Sequence, residues 1–484
     1  MKKYILLLII VLFFPILFHI FSRDASAYAY MGTLLFEGKI PYIDGWDHKG
    51  ISLYLINAFG YLIGFKNYIG IRILELILIT LSFLNIYKTL SLKYSKKAAF
   101  IAVSFGLLAL RYFFDGGNLT EEYGAIFVLF AVSLLLKKEQ KTIDYIVIGA
   151  LFIINFTIRA NLISFWIALF FALIVFYVVK KKKLFNLVNI FLKIGLGIVI
   201  GCSFLAIYFL LTDSFTEFYN AAFTYNFSYS KQSIGTTIGS IIKSTRTYEV
   251  ALIMLFGLLI SFVSIVKKRI QFVAVLLLFW IPIELYFSNM SGKGFAHYYM
   301  MWVPVIVLST AYVINYFSEE KIAKEKQLVV LFIVSFLFFQ IPIFNTIKSY
   351  KDLISAKKSN NELIANHVNT TYKNKSILVW GNESAIYNLT DKRAPVANFY
   401  QTFFKLNSPI TEQMIVAFTK QIKENQPEII IDVKTPSLLF LDKSNSNKID
   451  IKQQENLNDI LTFFNSNYQF KESVNGANFY IKNP

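Results

Sequence analysis

Long apolar stretches alternate with short polar segments over the first 347 residues of the chain. An α-helix needs roughly 17–25 mostly apolar residues to cross a bilayer. The pattern therefore predicts a polytopic α-helical membrane protein with about eleven transmembrane helices. These predicted helices cover 4–22, 67–90, 98–114, 123–136, 145–160, 162–179, 187–211, 249–266, 271–287, 298–317 and 327–347.

The pattern changes beyond Tyr350, where apolar runs shorten and Asn, Lys, Ser and Thr become frequent. Helical periodicity and short β-branched runs then alternate, which is typical of a small α/β domain over 348–484. The predicted helices are 358–372, 411–425 and 452–466. The predicted strands are 376–380, 428–432, 468–471 and 478–482, and the last two are expected to pair around Gly476.

Composition agrees with a membrane protein. Of 484 residues, 56% are hydrophobic and only 16% are charged, where a soluble domain has roughly a quarter charged. The net charge is +18, and a large basic excess is also typical of proteins that bind nucleic acid. Here, however, the basic residues cluster in short segments between apolar stretches, as in cytoplasmic loops. We therefore expect no nucleic-acid partner.

The basic clusters also predict orientation, since cytoplasmic loops are enriched in Lys and Arg. With Lys2 and Lys3 inside and eleven helices, each cluster falls on the cytoplasmic side. The segments left outside are 23–66, 115–122, 212–248, 288–297 and 348–484. The remaining clusters are Lys93, Lys96 and Lys97; Lys137, Lys138 and Lys141; Lys180 to Lys183; Lys267, Lys268 and Arg269; and Lys321, Lys324 and Lys326.

We accordingly expect a transmembrane domain over 1–347 and an extracytoplasmic domain over 348–484. Heavy use of Lys, Asn, Ile and Phe hints at an AT-rich bacterial genome, hence a bacterial plasma membrane. One alternative is that the first helix is a signal peptide, because Ala25-Ser26-Ala27 resembles a cleavage site. Its apolar run is longer than usual for a signal peptide, and many further spans follow.

Asp24 follows the first predicted span directly and so is expected at the membrane surface. Partial desolvation there tends to raise the pKa of a carboxylate, which suits a general base. The alternative is a helix-end charge that simply reaches water.

A denser cluster follows in the same outer segment. Two carboxylates, an imidazole, an ammonium and an indole occur within six residues, namely Asp44, Trp46, Asp47, His48 and Lys49. Carboxylates can accept hydrogen bonds from sugar hydroxyls, and an indole can stack on a sugar ring. The alternative is a solvated loop whose Trp lies at the membrane interface.

The second outer segment contains Thr120, Glu121 and Glu122. In one interpretation Thr120 caps the fourth predicted helix, and the two acids favour its dipole. In the other, one of the two Glu residues faces the same cavity as Asp24.

Cations suited to a phosphate occur at two further places. Arg159, at the outer end of the fifth predicted helix, carries a guanidinium that matches phosphate geometry. Lys293 and His297, followed by Tyr298, lie in the last outer loop. The alternative there is an aromatic belt with one incidental His. Asp, Glu and His could also hold a divalent cation, although no spacing demands a metal.

Taken together, these residues resemble a known family. The chain combines an Asp after the first helix, a Gly-x-x-Pro-Tyr-x-Asp-x-Trp-Asp-His-Lys segment, a Thr-Glu-Glu loop and a late His-Tyr-Tyr. It is similar to the glycosyltransferase family 39-like membrane proteins of the GT-C superfamily, which include protein O-mannosyltransferases and the lipid A aminoarabinose transferase. One departure is that many relatives have two adjacent acids after the first helix, whereas Asp24 is alone.

The resemblance implies a GT-C-like fold and a polyprenyl-phosphate sugar donor, with an envelope glycan, lipid or protein as acceptor. It implies Asp24 as the base, and leaves open whether Asp44, Asp47 or Glu122 shares that role. Candidate substrate-binding residues are Asp44, Trp46, His48, Lys49, Glu121, Arg159, Lys293, His297 and Tyr298. The sequence indicates no certain cofactor, and a divalent cation is one option.

Three other functions stay open at this point. An envelope polysaccharide polymerase or ligase would act on the same side, but usually has an Arg-rich late outer loop, and 212–248 contains few basic residues. A transporter or lipid-linked sugar flippase would favour inverted repeats and broken helices, which are not evident. A non-catalytic protein that only binds lipid-linked sugar would have the same sequence features.

Overall fold

Helices dominate the computed structural model, which describes residues 1–229, 234–320, 324–356, 358–406 and 408–484. The predicted cytoplasmic Lys321 lies outside the described residues. Contacts divide the chain into two units. We call Met1–His19, Arg72–Leu211 and Ser230–Ser355 the helical unit, and Ile20–Ile71, Thr212–Tyr229 and Ala356–Pro484 the mixed unit.

The elements follow in chain order. The α-helices are α1 (Lys2–Phe13), α2 (Arg23–Phe36), α3 (Ile51–Ile63), α4 (Ile69–Lys93), α5 (Lys96–Phe113), α6 (Thr120–Leu135), α7 (Thr142–Ile158), α8 (Ser164–Val179), α9 (Leu184–Thr212), α10 (Phe215–Tyr219), α11 (Asn226–Tyr229), α12 (Ile234–Thr247), α13 (Ala251–Val266), α14 (Phe272–Asn289), α15 (Trp302–Glu319), α16 (Lys324–Ser355), α17 (Asn360–Thr371), α18 (Ala385–Thr390), α19 (Pro409–Asn425) and α20 (Ile451–Asn467). The strands are β1 (Ile377–Trp380), β2 (Ile429–Asp432), β3 (Tyr468–Val474) and β4 (Ala477–Lys482).

The apolar stretches predicted as spans from 67–90 onwards coincide with the α-helices α4 to α9 and α13 to α16. The predicted span 4–22 is shorter in the structure, because α1 ends at Phe13 and only a 3-10 helix, Phe14–Phe18, continues it. Within the described residues, four stretches are long and apolar enough to cross a membrane, or up to six if each bent helix pair counts as one span. The four are α4, α9, α14 and the stretch Ala296–Glu319. The predicted number of about eleven spans and the predicted orientation stay predictions.

In the helical unit, α8 packs on α14, α5 on α15 and α6 on α7. Two glycines allow α7 and α9 to cross closely. A Cβ at Gly149 would lie 2.0 Å from the Ile194 carbonyl oxygen, and one at Gly197 would lie 1.9 Å from that of Ile146. Small residues at such crossings are typical of helices that pack within membranes.

The mixed unit begins with two helices, α2 and α3, in a segment that the sequence predicted only as an outer loop. All residues from Ala25 to Leu34 are buried. α2 packs on α3 at Gly32, where a Cβ would lie 2.4 Å from Cβ of Asn57. α2 also contacts α18, because the Asn388 amide donates a hydrogen bond of 2.9 Å to the Ser26 carbonyl.

A four-stranded sheet with the order β1-β2-β4-β3 forms the centre of the C-terminal part. β1 and β2 are parallel, and both other pairings are antiparallel. β3 and β4 form the hairpin predicted around Gly476, which has a φ of +85°. The predicted strands and the helices α17, α19 and α20 are confirmed to within a few residues.

The predicted domains over 1–347 and 348–484 stay a prediction beside these two units. The helical unit ends at Ser355, close to the predicted boundary at 347. The first outer segment and Thr212–Tyr229, however, belong to the same unit as the C-terminal part. The first outer segment is therefore part of the same folded unit as the C-terminal sheet.

Candidate functional site

The segment between α2 and α3 carries the first group of candidate residues. Its turns need unusual backbone angles, since Gly38 has a φ of +79° and Tyr42 a φ of +74°. The Tyr42 N–H donates to the Gly45 carbonyl at 2.7 Å. Asp44 is exposed, and its Oδ2 accepts the Ile40 N–H at 2.7 Å. Asp44 thus stabilises a local turn.

Asp47 is fully buried in the mixed unit. Its Oδ2 accepts the Tyr54 hydroxyl at 2.9 Å, and its Oδ1 accepts the Tyr400 hydroxyl at 2.7 Å. Nδ1 of His48 lies 3.2 Å from Oδ1. Burial opposes ionisation, but the hydrogen bond from His48, the positive charge of Lys49 and the Tyr400 hydroxyl outweigh it. The pKa of Asp47 therefore lies below its usual range, and Asp47 is a fixed carboxylate.

Asp47, His48 and Lys49 form a chain of polar contacts, which we call the first-loop cluster. Nζ of Lys49 lies 2.7 Å from Nε2 of His48. An ammonium can only donate, so Nε2 accepts and the ring proton is assigned to Nδ1, towards Asp47. Lys49 is only 8% exposed. The buried carboxylate thereby orients an imidazole and, through it, an ammonium.

Trp46 is packed inside the mixed unit and only 8% exposed. Its ring meets that of Tyr225 edge-on at 5.2 Å and that of Phe403 at 4.5 Å. Its backbone N–H donates to the Ala397 carbonyl at 2.9 Å. Little of the indole is open to a ligand, so a role for Trp46 under a sugar ring stays a prediction.

Asp24 lies in the first turn of α2 and is exposed. Its neighbour Arg23 pairs instead with Glu383, at 2.6 Å. Asp24 forms no hydrogen bond or ion pair with the described part of the chain, although its charge acts on the Tyr400 hydroxyl.

The helical unit brings together a second group, the second-loop cluster of Glu121, Arg159 and Tyr298. The Arg159 guanidinium, at the end of α7, forms an ion pair with Glu121 in the first turn of α6. It also lies 4.7 Å from the centre of the Tyr298 ring. The capping role considered for Thr120 is wrong, because α6 begins after Leu119 without a side-chain cap and the Thr120 hydroxyl donates to Glu121 at 2.6 Å.

Glu122 is fully buried against the carboxyl of Glu75 on α4. Nη1 of Arg72 lies 3.1 Å from Glu75 and donates to the Gly116 carbonyl at 2.6 Å. Glu75 also accepts the Asn118 N–H at 3.0 Å. These contacts hold the second outer segment in place. Sequence reasoning missed Arg72 and Glu75, although two charges three residues apart in a predicted span are a usable signal.

His297 lies near Asp115, with 3.5 Å between its Nδ1 and the Asp115 Oδ2. Its ring stacks on Phe295, with 5.6 Å between the centres. The hydrogen bond from His297 lowers the pKa of Asp115 below its usual range. Lys293 is exposed in the same loop.

The described residues contain no group of three His, Cys, Asp or Glu side chains close enough together to hold a metal ion. A divalent cation stays one option, but the described side chains provide no ready set of ligands for it. The clusters offer carboxylates and cations, which suit proton transfer and the binding of an anion.

The fold is shared with two membrane proteins of known structure. ArnT from Cupriavidus metallidurans has a TM-score of 0.63 and 12% identity, over 99% of this chain and 97% of that one, both in the apo state and bound to undecaprenyl phosphate. Archaeal oligosaccharyltransferase AglB from Archaeoglobus fulgidus, in complex with an inhibitory peptide and a dolichol-phosphate, has a TM-score of 0.51 and 11% identity. The alignment covers 100% of this chain and 74% of AglB.

Both proteins are members of the GT-C superfamily, so the predicted resemblance to that superfamily is confirmed at the level of the fold. No curated protein matches the sequence. Residues 3–351 match the profile of the family described as "Putative competence-induced protein Ccs4 N-terminal domain", and the chain belongs to that family.

Proposed function

We propose that the chain is a membrane glycosyltransferase that acts on the outer face of a bacterial plasma membrane. It would move a sugar from a polyprenyl-phosphate donor to an envelope glycan, lipid or protein. The observation that carries the proposal is the fold shared with ArnT over nearly the whole of both chains, since one ArnT structure contains undecaprenyl phosphate.

Asp24 is the proposed base. It is an exposed carboxylate without a hydrogen bond or ion pair in the described structure, whereas Asp47 is buried and already accepts two tyrosine hydroxyls. A base must reach the proton that it removes. We therefore assign proton removal to Asp24 and orientation of the first-loop cluster to Asp47. Glu122 is buried beside Glu75 and is the weaker of the catalytic candidates.

Cations are proposed to stabilise the departing phosphate. Lys49 is one such cation, and Asp47 orients its ammonium through the His48 ring. Arg159, Lys293 and His297 are the others. A guanidinium that already lies against a carboxylate and an aromatic ring has the planar geometry that also suits a phosphate. Asp44, Trp46 and Tyr298 are proposed to support substrate binding, and Glu121 is proposed to hold the Arg159 guanidinium until the phosphate replaces it.

The reaction balances without a cofactor. The oxygen of an acceptor hydroxyl attacks the anomeric carbon of the sugar, and the bond between that carbon and the lipid phosphate oxygen breaks. The hydroxyl proton passes to Asp24, and the polyprenyl phosphate leaves with the electron pair. Attack from the face opposite the leaving group inverts the anomeric carbon. Positive groups fixed near the phosphate lower the barrier because charge develops there.

The test compares the sugar composition of the cell envelope in wild type, a deletion strain and an Asp24→Asn strain. We expect the deletion to lose one sugar, and Asp24→Asn to lose it as well at a normal protein level. Asp213→Asn is the matched control, because Asp213 is an exposed acid in a positive-φ turn that Asn tolerates. This control should keep the wild-type composition.

Two results would count against the proposal. An unchanged envelope in the deletion strain would contradict the transferase assignment. Loss of the sugar in the deletion but not in Asp24→Asn would keep the transferase and reject Asp24 as its base. The base would then be sought among Asp44, Asp47, Glu121 and Glu122.

A further inference from the structure

A short C-terminal segment, Ala397–Phe403, lies against the first-loop cluster. The Ala397 carbonyl accepts the backbone N–H of Trp46 at 2.9 Å. The Phe403 ring lies 4.5 Å from that of Trp46 and 5.4 Å from that of His48. Between them, the Tyr400 hydroxyl donates to Oδ1 of Asp47 at 2.7 Å. The family match ends at residue 351, so no part of it assigns these residues.

The segment is itself held firmly by the C-terminal fold. Gly381 follows β1 directly, and its N–H donates to the Gln401 side chain at 2.7 Å. The Gln401 N–H donates back to the Gly381 carbonyl at 3.1 Å. The Ala397 N–H donates to the side chain of Gln421 on α19 at 2.9 Å. The position of the Tyr400 hydroxyl is therefore fixed by β1 and α19.

We propose that Tyr400 is a positioning residue, which fixes Asp47 and through it the His48–Lys49 pair for the phosphate of a polyprenyl-phosphate ligand. This inference rests on the proposed function. A fully buried carboxylate is stable only when donors satisfy its oxygens. Tyr400 shares Oδ1 with His48, while Tyr54 satisfies Oδ2. The direction in which Oδ1 faces, and with it the tilt of the His48 ring, therefore depends on Tyr400.

A second tyrosine gives a matched control. Tyr372 donates to Glu472, whose Oε1 lies 3.0 Å from Nε2 of His367. This arrangement repeats the Tyr–carboxylate–His pattern elsewhere in the C-terminal part. Tyr400→Phe and Tyr372→Phe therefore make the same chemical change, and each is expected to affect a different histidine.

The chain has only four histidines, so side-chain nitrogen resonances of histidine-labelled, full-length protein can be assigned with His48→Gln and His367→Gln. Affinity for undecaprenyl phosphate is measured on the same purified samples. We expect Tyr400→Phe to shift the His48 signals and to weaken undecaprenyl phosphate binding about tenfold, the scale of one hydrogen bond to a charged group. Tyr372→Phe should shift only the His367 signals and bind normally.

The outcomes separate the two proposals. Wild-type protein that does not bind undecaprenyl phosphate would overturn the proposed function, and the positioning role with it. If wild type binds but Tyr400→Phe binds equally well with unmoved His48 signals, the positioning role alone is overturned. Weaker binding by Tyr400→Phe with unmoved His48 signals would also overturn it, because a merely structural effect would then suffice.

Discussion

The hydroxyl of Tyr54 donates a hydrogen bond of 2.9 Å to Oδ2 of Asp47, a carboxylate with no exposure to solvent. Tyr54 lies in the first turn of α3, directly after the loop that carries Asp47. Together with the donors to Oδ1, this bond stabilises the buried charge of Asp47, because a buried carboxylate without donors would be very costly. The charge of Asp47 is therefore part of the stability of the mixed unit.

Asp47→Asn should destabilise the protein by about 2 kcal/mol at neutral pH, the order expected for hydrogen bonds to a charged group. The pKa of Asp47 is lowered in the folded state. Its ionised carboxylate therefore stabilises the folded protein fully above the ordinary aspartate pKa of about 3.9, and this stabilisation is lost as pH falls through the lower folded pKa. The difference from wild type should be constant between pH 7 and 5 and narrow only below about pH 4. Thermal unfolding of the purified proteins across this range measures it.

Asp44→Asn is the control for that experiment, because Asp44 is exposed and an Asn can accept the same Ile40 N–H. It should change stability by less than about 0.5 kcal/mol, as is usual for a surface position. If wild type instead gains stability relative to Asp47→Asn as pH falls from 7 to 5, Asp47 takes up a proton in the folded protein, contrary to its contacts.

Arg159 is expected to bind phosphate in competition with Glu121, its partner in the ion pair. Glu121→Gln removes the competing charge and should strengthen undecaprenyl phosphate binding about threefold or more. Arg159→Lys should weaken it, because a lysine keeps the charge but loses the planar fork and the stacking on Tyr298. Arg159→Met should weaken it further. Affinities measured on purified protein test this order.

Arg246→Met provides a control for general loss of positive charge, since Arg246 is an exposed residue at the end of α12. Its affinity should stay within about twofold of wild type, because exposed charges are screened by salt. If Glu121→Gln weakens binding as much as Arg159→Met, the ion pair is a structural contact and Arg159 does not bind the phosphate.

Much of the fold could be predicted from the sequence, because long apolar runs and alternating short strands are strong local patterns. The helix α2 could not, since its apolar residues are interrupted by Ser26, Gly32 and Thr33, and its burial comes from packing on α3. The candidate residues were found where several chemical groups cluster in sequence, as at Asp47 and His48. Tyr400 could not be found in this way, because 353 positions separate it from Asp47.

Gly117→Ala tests how tightly the second outer segment is held. A Cβ at Gly117 would lie 2.0 Å from Glu75 Oε1 and 2.8 Å from Arg72 Nη1, and its φ of +78° disfavours any side chain. Gly38 has nearly the same φ, +79°, but nothing lies within 4 Å of its added Cβ. Gly38→Ala should therefore cost only the backbone strain, about 1–2 kcal/mol. Gly117→Ala should cost about 1–3 kcal/mol more through overpacking.

The measurement is the apparent melting temperature of purified Gly117→Ala and Gly38→Ala, each compared with wild type. Because both positions require positive φ, the difference between the variants reports the contacts of Gly117 with Glu75, Phe114 and Arg72. Equal melting temperatures would mean that the second outer segment moves away at little cost, and that the Arg72–Glu75 contacts do not hold it.

Gly197 and Gly195, two residues apart on α9, provide a similar comparison within the helical unit. A Cβ at Gly197 would lie 1.9 Å from the Ile146 carbonyl oxygen of α7, whereas nothing lies within 4 Å of one at Gly195. The neighbour of Gly197 is backbone and cannot rotate aside, so Gly197→Ala should force α7 and α9 apart and cost about 1–3 kcal/mol. Gly195→Ala should be neutral or slightly stabilising, because alanine favours a helix more than glycine does. Thermal unfolding in the same detergent measures both variants, and equal loss of stability in the two would show that α9 does not depend on this crossing.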